Sequence, residues 1–185
     1  MENAHQRKKE PEVIRQKILD SAIQLAADNG VTGVSIQAVA DLVGVTKGGV
    51  FHHFKNKQIL LEAMLVEAFD RLNFEIDQYM ENDPVAYGRF TRAYIEFTLK
   101  KPSKDGSNLW SALSFTMLSN PTFNQYWIEW LENRLEHFKD TDGHQDLNIL
   151  RYAADGIWLT YFTGIDNPEK TQQIVKELVQ RTYPK

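Results

Sequence analysis

The sequence predicts an all-α protein of about nine helices: an N-terminal three-helix head containing a helix-turn-helix, followed by a C-terminal helical bundle. Three observations carry this. Apolar residues recur at helical spacing almost from end to end, no stretch alternates as a half-buried strand would, and short polar or Gly/Pro breaks separate the periodic runs. The chain has 185 residues, 42% hydrophobic and 25% charged, which is ordinary globular usage and excludes wholesale disorder or a low-complexity scaffold.

Each element has a local reason. Ile14, Ile18, Ala22 and Leu25 form one helical stripe, closed by Asn29-Gly30, with the glycine suited to a left-handed residue past the last turn. Ser35 offers an N-cap for a helix over 36–43, and Gly44 stops it. Thr46 caps a very short helix running to about Phe54. Asn56 opens a fourth, with Leu61, Leu65, Phe69, Leu72 and Ile76 along one side. Pro84 precedes a fifth helix carrying Phe90, Tyr94 and Phe97, residues 101–107 read as a polar loop, and a sixth helix follows over about 109–118. Asn120-Pro121 supplies a cap and a first-turn proline for a seventh, rich in Phe123, Tyr126, Trp127 and Trp130. Residues 140–144 read as a solvated turn.

The helix over 145–164 is apolar on more than one side, so it must be covered on more than one side. The last helix, opened by Asn167-Pro168-Glu169 and ending near Tyr183, carries a compact face of Ile174, Val175, Leu178 and Val179. Together with Ile157 and Tyr161, that face is the expected homodimer interface. The other reading of the same pattern is a central core helix in a monomer.

Several function classes are excluded early. Zero cysteines rule out a disulfide framework, thiol catalysis and thiolate zinc sites. No run approaches the roughly 20 apolar residues of a membrane-spanning helix, and the charged start shows no secretory pattern, so no membrane partner is expected and a cytoplasmic protein is. The net charge of -4 is uneven: residues 1–57 carry eight Lys/Arg against six Asp/Glu, and the remainder 13 against 19. A mildly basic head on an acidic body permits nucleic-acid binding by the head alone.

Residues 35–57 have the length and turn chemistry of a helix-turn-helix, whose second helix lies in the major groove. That second helix, Lys47-Gly48-Gly49-Val50-Phe51-His52-His53-Phe54, breaks ordinary helix rules. Each glycine costs about 1 kcal/mol against alanine, and a first-turn lysine opposes the helix macrodipole. Both choices make sense at an end that meets a polyanion closely, because glycine lets backbone approach and Lys47 faces phosphate. A frayed connector helix is the alternative. The arm Arg7-Lys8-Lys9 could also reach a minor groove, diluted by Glu2, Glu10 and Glu12.

The run from Ile18-Leu19-Asp20-Ser21-Ala22 through Gly44-Val45-Thr46-Lys47-Gly48 and Phe51-His52-His53-Phe54-Lys55-Asn56-Lys57 to Leu60-Leu61 resembles the DNA-binding head of the tetracycline-repressor (TetR) family over about residues 12–62. The resemblance implies a head over 1–57 and a ligand-binding and dimerisation domain over 58–185. It implies that Ser35, Gln37, His53 and Lys57 touch the phosphate backbone, while Thr46, Lys47, Gly48 and Gly49 open the recognition helix. Phe51 departs from the tyrosine usual there, which keeps the packing and loses a phosphate hydrogen bond. Base readout is thin: Gln37, Lys47 and His52 are the side chains with directed donors.

The resemblance further implies a small-molecule pocket in the body, to which Tyr94, Phe97, Trp110, Phe115, Trp127, Trp130 and Trp158 could contribute. Arg151, among Leu147, Leu150 and Ala154, is the candidate partner for any buried anion, with a surface ion pair as its plainer role. The expected effector is a mainly hydrophobic molecule, neutral or cationic. No cofactor, metal or catalytic residue is expected. Adjacent His52 and His53 point about 100° apart on a helix, and the acidic turn at 140–146 fails calcium-loop spacing, since a glycine at its sixth place puts Phe138 first and Ile149 twelfth. No phosphate-loop, dinucleotide, serine-elbow or zincin string occurs, so an enzyme is not expected. The resulting expectation is a transcriptional regulator, most simply a repressor that binds a palindromic double-stranded operator as a homodimer and is released by a small molecule. The rival is a helical ligand-binding or scaffold protein with a degenerate head.

Overall fold

The computed structural model describes residues 4–100, 120–163 and 167–184. The described residues hold nine helices and no strand: α1 (Ala4–Gly33), α2 (Ile36–Val43), α3 (Lys47–His53), α4 (Lys57–Glu81), α5 (Arg89–Thr98), α6 (Pro121–His137), α7 (Lys139–Asp142), α8 (Gln145–Thr163) and α9 (Pro168–Arg181). The helix expected over 109–118 lies outside the described residues. They divide into two compact units, 4–70 with 120–125 and 71–100 with 126–184. The helix α4 begins in the first and ends in the second.

In the first unit α1, α2 and α3 pack on one another. The expected stripe of α1 is the buried one, centred on Ile18, Leu19, Ala22, Ile23 and Ala26. Val39 and Ala40 of α2, Val50 of α3, Phe54 just beyond it, and Leu60, Met64 and Leu65 of α4 are buried as well. The guanidinium of Arg15 lies 5.0 Å above the Phe54 ring. Helix α1 starts ten residues earlier than its apolar stripe, carries Pro11 inside, and kinks at Gly30, where φ is 71°. Asn56 caps α4 as expected, its Oδ1 accepting the Ile59 N–H at 2.9 Å.

The second unit is built on α5, α8 and α9, each packed against the other two. Its core is Ile95, Leu99, Leu147, Leu150, Ala154 and Leu178, with Ile157, Trp158, Val175 and Val179 half-buried against it. Buried polar groups tie these helices together. The expected solvated turn at 140–144 instead contains the one-turn helix α7, and its Asp142 is fully buried. The N-cap of α5 is Gly88, which has no side chain to offer. Asp142 supplies the missing cap from a distance, accepting the Thr91 N–H at 2.8 Å and the Thr91 hydroxyl at 2.6 Å. Arg92, 3% exposed, is held by Asp83, by the Tyr87 and Val85 carbonyls and by Thr182, and lies 4.3 Å from the Tyr183 ring. Gly88 is needed for this closure. Its φ is 72°, and an added Cβ would stand 2.5 Å from the Thr182 carbonyl oxygen.

Candidate functional site

Local capping positions the head's outer surface. Ser35 Oγ accepts the Ala38 N–H at 3.1 Å, which starts α2, and Gly44 ends it in the left-handed region at φ 77°. Thr46 Oγ1 accepts the Gly49 N–H at 3.1 Å and starts α3. Ser35 and Thr46 are exposed and use their oxygens as acceptors, so each hydroxyl proton is left to donate outward.

Burial divides α3 into two faces. Val50 points into the core at 0% exposure, and Phe54 just beyond the helix is 1% exposed. Lys47, Gly48, Phe51 and His52 are exposed, at spacings of one, four and five that place them side by side on the outward face. Gly49 and His53 are half-buried at its margins, and the His53 ring meets His52 edge-on with centroids 5.3 Å apart. Lys55 and Lys57 are exposed at the start of α4. Gln37 is exposed, but its amide donates to Asp41 one turn on, so this donor must exchange partners to reach a phosphate. Phe51, at 46% exposure, is a large apolar ring in the middle of an otherwise polar surface.

A Cβ at Gly48 would meet nothing nearer than Thr46 Oγ1 at 3.7 Å, an ordinary contact. The fold therefore does not demand glycine there. A close external surface would.

In the second unit, Tyr94 is buried and its hydroxyl donates to Asp155 at 2.6 Å. Burial and the nearby Asp155 charge push the phenol well above its ordinary pKa, so it stays a donor. Trp127 and Trp130 stack with centroids 5.1 Å apart, and Tyr94 and Phe90 lie 6.3 and 6.4 Å from them respectively. The Trp130 indole donates to Asn73 Oδ1 at 2.8 Å, an acceptor shared with Arg134. Phe97 and Trp158 are half-buried. Trp110, Phe115 and the side chain of Tyr161 lie outside the described residues.

Two expectations change. Arg151 is not in a surface ion pair: it is 5% exposed and donates to Thr91 Oγ1, the Asp142 carbonyl and Asn148 Oδ1. Burial lowers its pKa, against the pull of Asp142. Leu178 does not share the outward face expected of α9. It is 7% exposed and packs in its own chain's core, whereas Ile174 is exposed and Ile157, Val175 and Val179 are half-buried. The exposed ridge of α8 runs through Ile149, Tyr152 and Leu159. Ile149, Tyr152 and Asp155 were missed in the sequence, although an acid inside Ala153-Ala154-Asp155-Gly156-Ile157 is a visible interruption of an apolar run. Among the described residues no three His, Asp or Glu side chains are grouped to hold a metal, and no described helix is long and apolar enough to cross a membrane.

Residues 18–64 match the family of bacterial regulatory proteins called tetR, and residues 88–183 match the tetracyclin repressor-like C-terminal domain. The second match alone spans more than half the chain. The chain belongs to the tetracycline-repressor family. It is a TetR-family DNA-binding transcriptional regulator, and α2 and α3 both lie within the matched helix-turn-helix head. Among TetR-family relatives, the transcriptional repressor AcnR of Corynebacterium diphtheriae is 28% identical, covering 92% of this chain and 93% of its own. The transcriptional repressor KstR2 of Rhodococcus jostii is 27% identical over 78% of this chain and 76% of its own. The fold matches the multidrug binding protein EbrR complexed with malachite green, with a TM-score of 0.71 and 21% identity over 92% of this chain and 98% of that one. It also matches a transcriptional regulator from Rhodococcus sp. Rha1, with a TM-score of 0.69 and 19% identity over 91% and 95%.

Proposed function

We propose that this regulator is a repressor that binds a palindromic operator as a two-fold homodimer and is released when a small hydrophobic molecule enters the second unit. The observation that carries the DNA half is Gly48: a solvent-exposed residue in a helix, beside Lys47 and Thr46, with room for a Cβ that the sequence does not use. Glycine in such a place weakens the free helix by about 1 kcal/mol, a cost that close backbone approach to a duplex offsets. Ser35, Gln37, Thr46, Lys47, Gly48, Gly49, Phe51, His52, His53 and Lys57 are the proposed DNA-contacting set. Residues 1–57 form the proposed DNA-binding part and 58–185 the ligand-binding and dimerisation part.

The sign of regulation is supported by the relatives named repressors, and the ligand by the neighbour named for multidrug binding. The dimer is supported by the apolar ridge of α8, Ile149, Tyr152 and Leu159, with exposed Ile174 on α9. One seven-residue helix with few directed donors reads too little sequence alone, and a two-fold pair doubles it. Release would follow if the ligand binds better to head spacings that misfit successive major grooves, with α4 as the lever; the coupling equals that difference in affinity. No catalytic role is proposed.

Selection of bound duplexes from random DNA tests the reading. A recovered palindrome with half-sites about one helical turn or a multiple apart is the expected result. Binding without sequence preference would overturn it in favour of a degenerate head.

A further inference from the structure

Phe51 stands on the outward face of α3, with Lys47 and Gly48 one turn before it and His52 beside it. It is 46% exposed, while the apolar filling that this helix gives the fold comes from Val50 and Phe54, both buried. Among the described residues no ring stacks on Phe51 and no cation lies over it. The core does not use this ring. A lone apolar residue on a surface is ordinary, and what sets this one apart is the space next to it. Side chains on a helix lean toward the preceding turn, and Gly48, on the same face, has no side chain there. A Cβ built at Gly48 would have only Thr46 Oγ1 within 4 Å, at 3.7 Å, so the ring of Phe51 leaves that place open as well. The result is a notch with the Gly48 backbone as its floor and the aromatic ring on its C-terminal side.

The surfaces that a duplex offers differ in what they can do with such a notch. Phosphates suit the exposed cations Lys47, Lys55 and Lys57. They do not suit the ring, which has no hydrogen to donate and carries negative partial charge on its faces. Base edges in the major groove are donors and acceptors with one exception, the C5-methyl group of thymine. That methyl asks for no hydrogen bond, gains from contact with an aromatic ring, and is small enough for the space that a missing side chain leaves. Burying it also covers the ring, which water otherwise surrounds.

We infer that Phe51 determines part of the operator sequence, its ring taking the C5-methyl of one thymine in each half-site over the backbone of Gly48. This rests on the DNA-binding reading above and adds an apolar contact to the few side chains with directed donors.

Deoxyuridine tests this without touching the protein, because it lacks the methyl of thymine and keeps every hydrogen-bonding group of its edge. Each thymine of a duplex recovered by selection from random DNA is replaced singly, and the affinity of the full chain is measured by fluorescence anisotropy at fixed salt. Replacement of one particular thymine in a half-site should weaken binding about fourfold, which is what burying one methyl group is worth. Phe51→Ala should bind the all-thymine duplex at least about fourfold more weakly than wild type does, and should bind the thymine and deoxyuridine duplexes alike. Phe51→Leu remains apolar and should keep part of the difference. Both variants replace an exposed ring and should melt with the wild type; if either does not fold, the wild-type series still decides. Wild type that is insensitive to every replacement, a preferred half-site that holds no thymine, or a folded Phe51→Ala that retains the full deoxyuridine penalty overturns the inference. The DNA-binding reading survives all three, and weak binding by Phe51→Ala in the first would put the ring on the sugar-phosphate backbone. Recovery of no preferred sequence overturns both.

Discussion

Asp142 accepts the backbone N–H of Thr91 at 2.8 Å and its hydroxyl at 2.6 Å, so the start of α5 is capped by a carboxylate 51 residues downstream. The same Thr91 oxygen accepts from Arg151. One buried acid thus satisfies a helix terminus and faces the charge of a buried arginine. Asp142→Ala should lower stability by about 2–4 kcal/mol, because it orphans buried donors and leaves Arg151 without that compensation. Urea melts check this, and a loss below about 1 kcal/mol would mean that the cap is dispensable. Asp142→Asn retains an acceptor and should lose less.

Gly48→Ala should leave the free protein as stable as wild type or up to about 1 kcal/mol more stable, since the new methyl meets only Thr46 Oγ1 at 3.7 Å. Affinity for a selected operator should fall at least about tenfold. Paired thermal melts and gel shifts report both. A variant that loses stability and keeps its affinity would place the glycine's role inside the protein.

Lys47→Ala and Lys57→Ala replace exposed cations and should leave the melting temperature almost unchanged. Each should flatten the log–log salt dependence of DNA binding by about 0.9 for every phosphate that is no longer neutralised. Binding isotherms over a salt series measure the slope. Identical slopes in wild type and both variants would remove these residues from the interface.

Residues facing out and facing in on the last two helices should respond differently to charge. Tyr152→Glu with Leu159→Glu alters the exposed ridge of α8 and should give folded monomers by light scattering, with weakened operator binding. Leu178→Glu buries a charge in the core and should instead unfold the chain, at a cost above about 4 kcal/mol. A double variant that remains dimeric would exclude the ridge.

Acid should weaken the clasp around Arg92. Burial pushes the Asp83 carboxyl up, but the hydrogen bond and charge of Arg92 and the Val85 N–H outweigh it and hold the pKa below its ordinary value. A depressed carboxylate contributes stability above its unfolded pKa and loses it as pH falls through the folded one. The stability gap between wild type and Asp83→Asn should therefore be full at neutral pH and close below about pH 4. Denaturant melts at several pH values test the sign, and a gap that widens in acid would contradict it.

The elements most legible in the sequence are those whose causes are local. Ser35, Gly44, Thr46 and Asn56 act within three or four residues of themselves, and their caps stand where the residue types place them. The outward face of α3 follows from the same short range. The buried polar groups of the second unit were illegible because Asp142, Arg151 and Arg92 meet partners 51, 60 and 90 positions away, and a charged side chain in a turn reads as solvated until that partner is known. Leu178 was misassigned for a different reason. On a helix that is apolar over four close positions, periodicity finds the stripe but not which edge faces its own core, and Ile174 and Leu178 stand only about 40° apart around the axis. The early start of α1 escaped because residues 4–13 are polar around Pro11 and carry no stripe to read.

Gly88 sets a limit on drift in this lineage. A single-base change in a glycine codon that alters the residue either adds a side chain or ends translation. At this position a side chain runs first into the main-chain oxygen of Thr182, and also crowds the Arg92 and Leu147 side chains. No replacement at 182 can relieve a collision with backbone, so tolerance at 88 requires a different course for the residues that follow α9. Relatives with a larger residue in that place should also differ in the length or path of the segment after their last helix, a pairing that an alignment of many genomes would reveal as linked change between two stretches nearly a hundred codons apart.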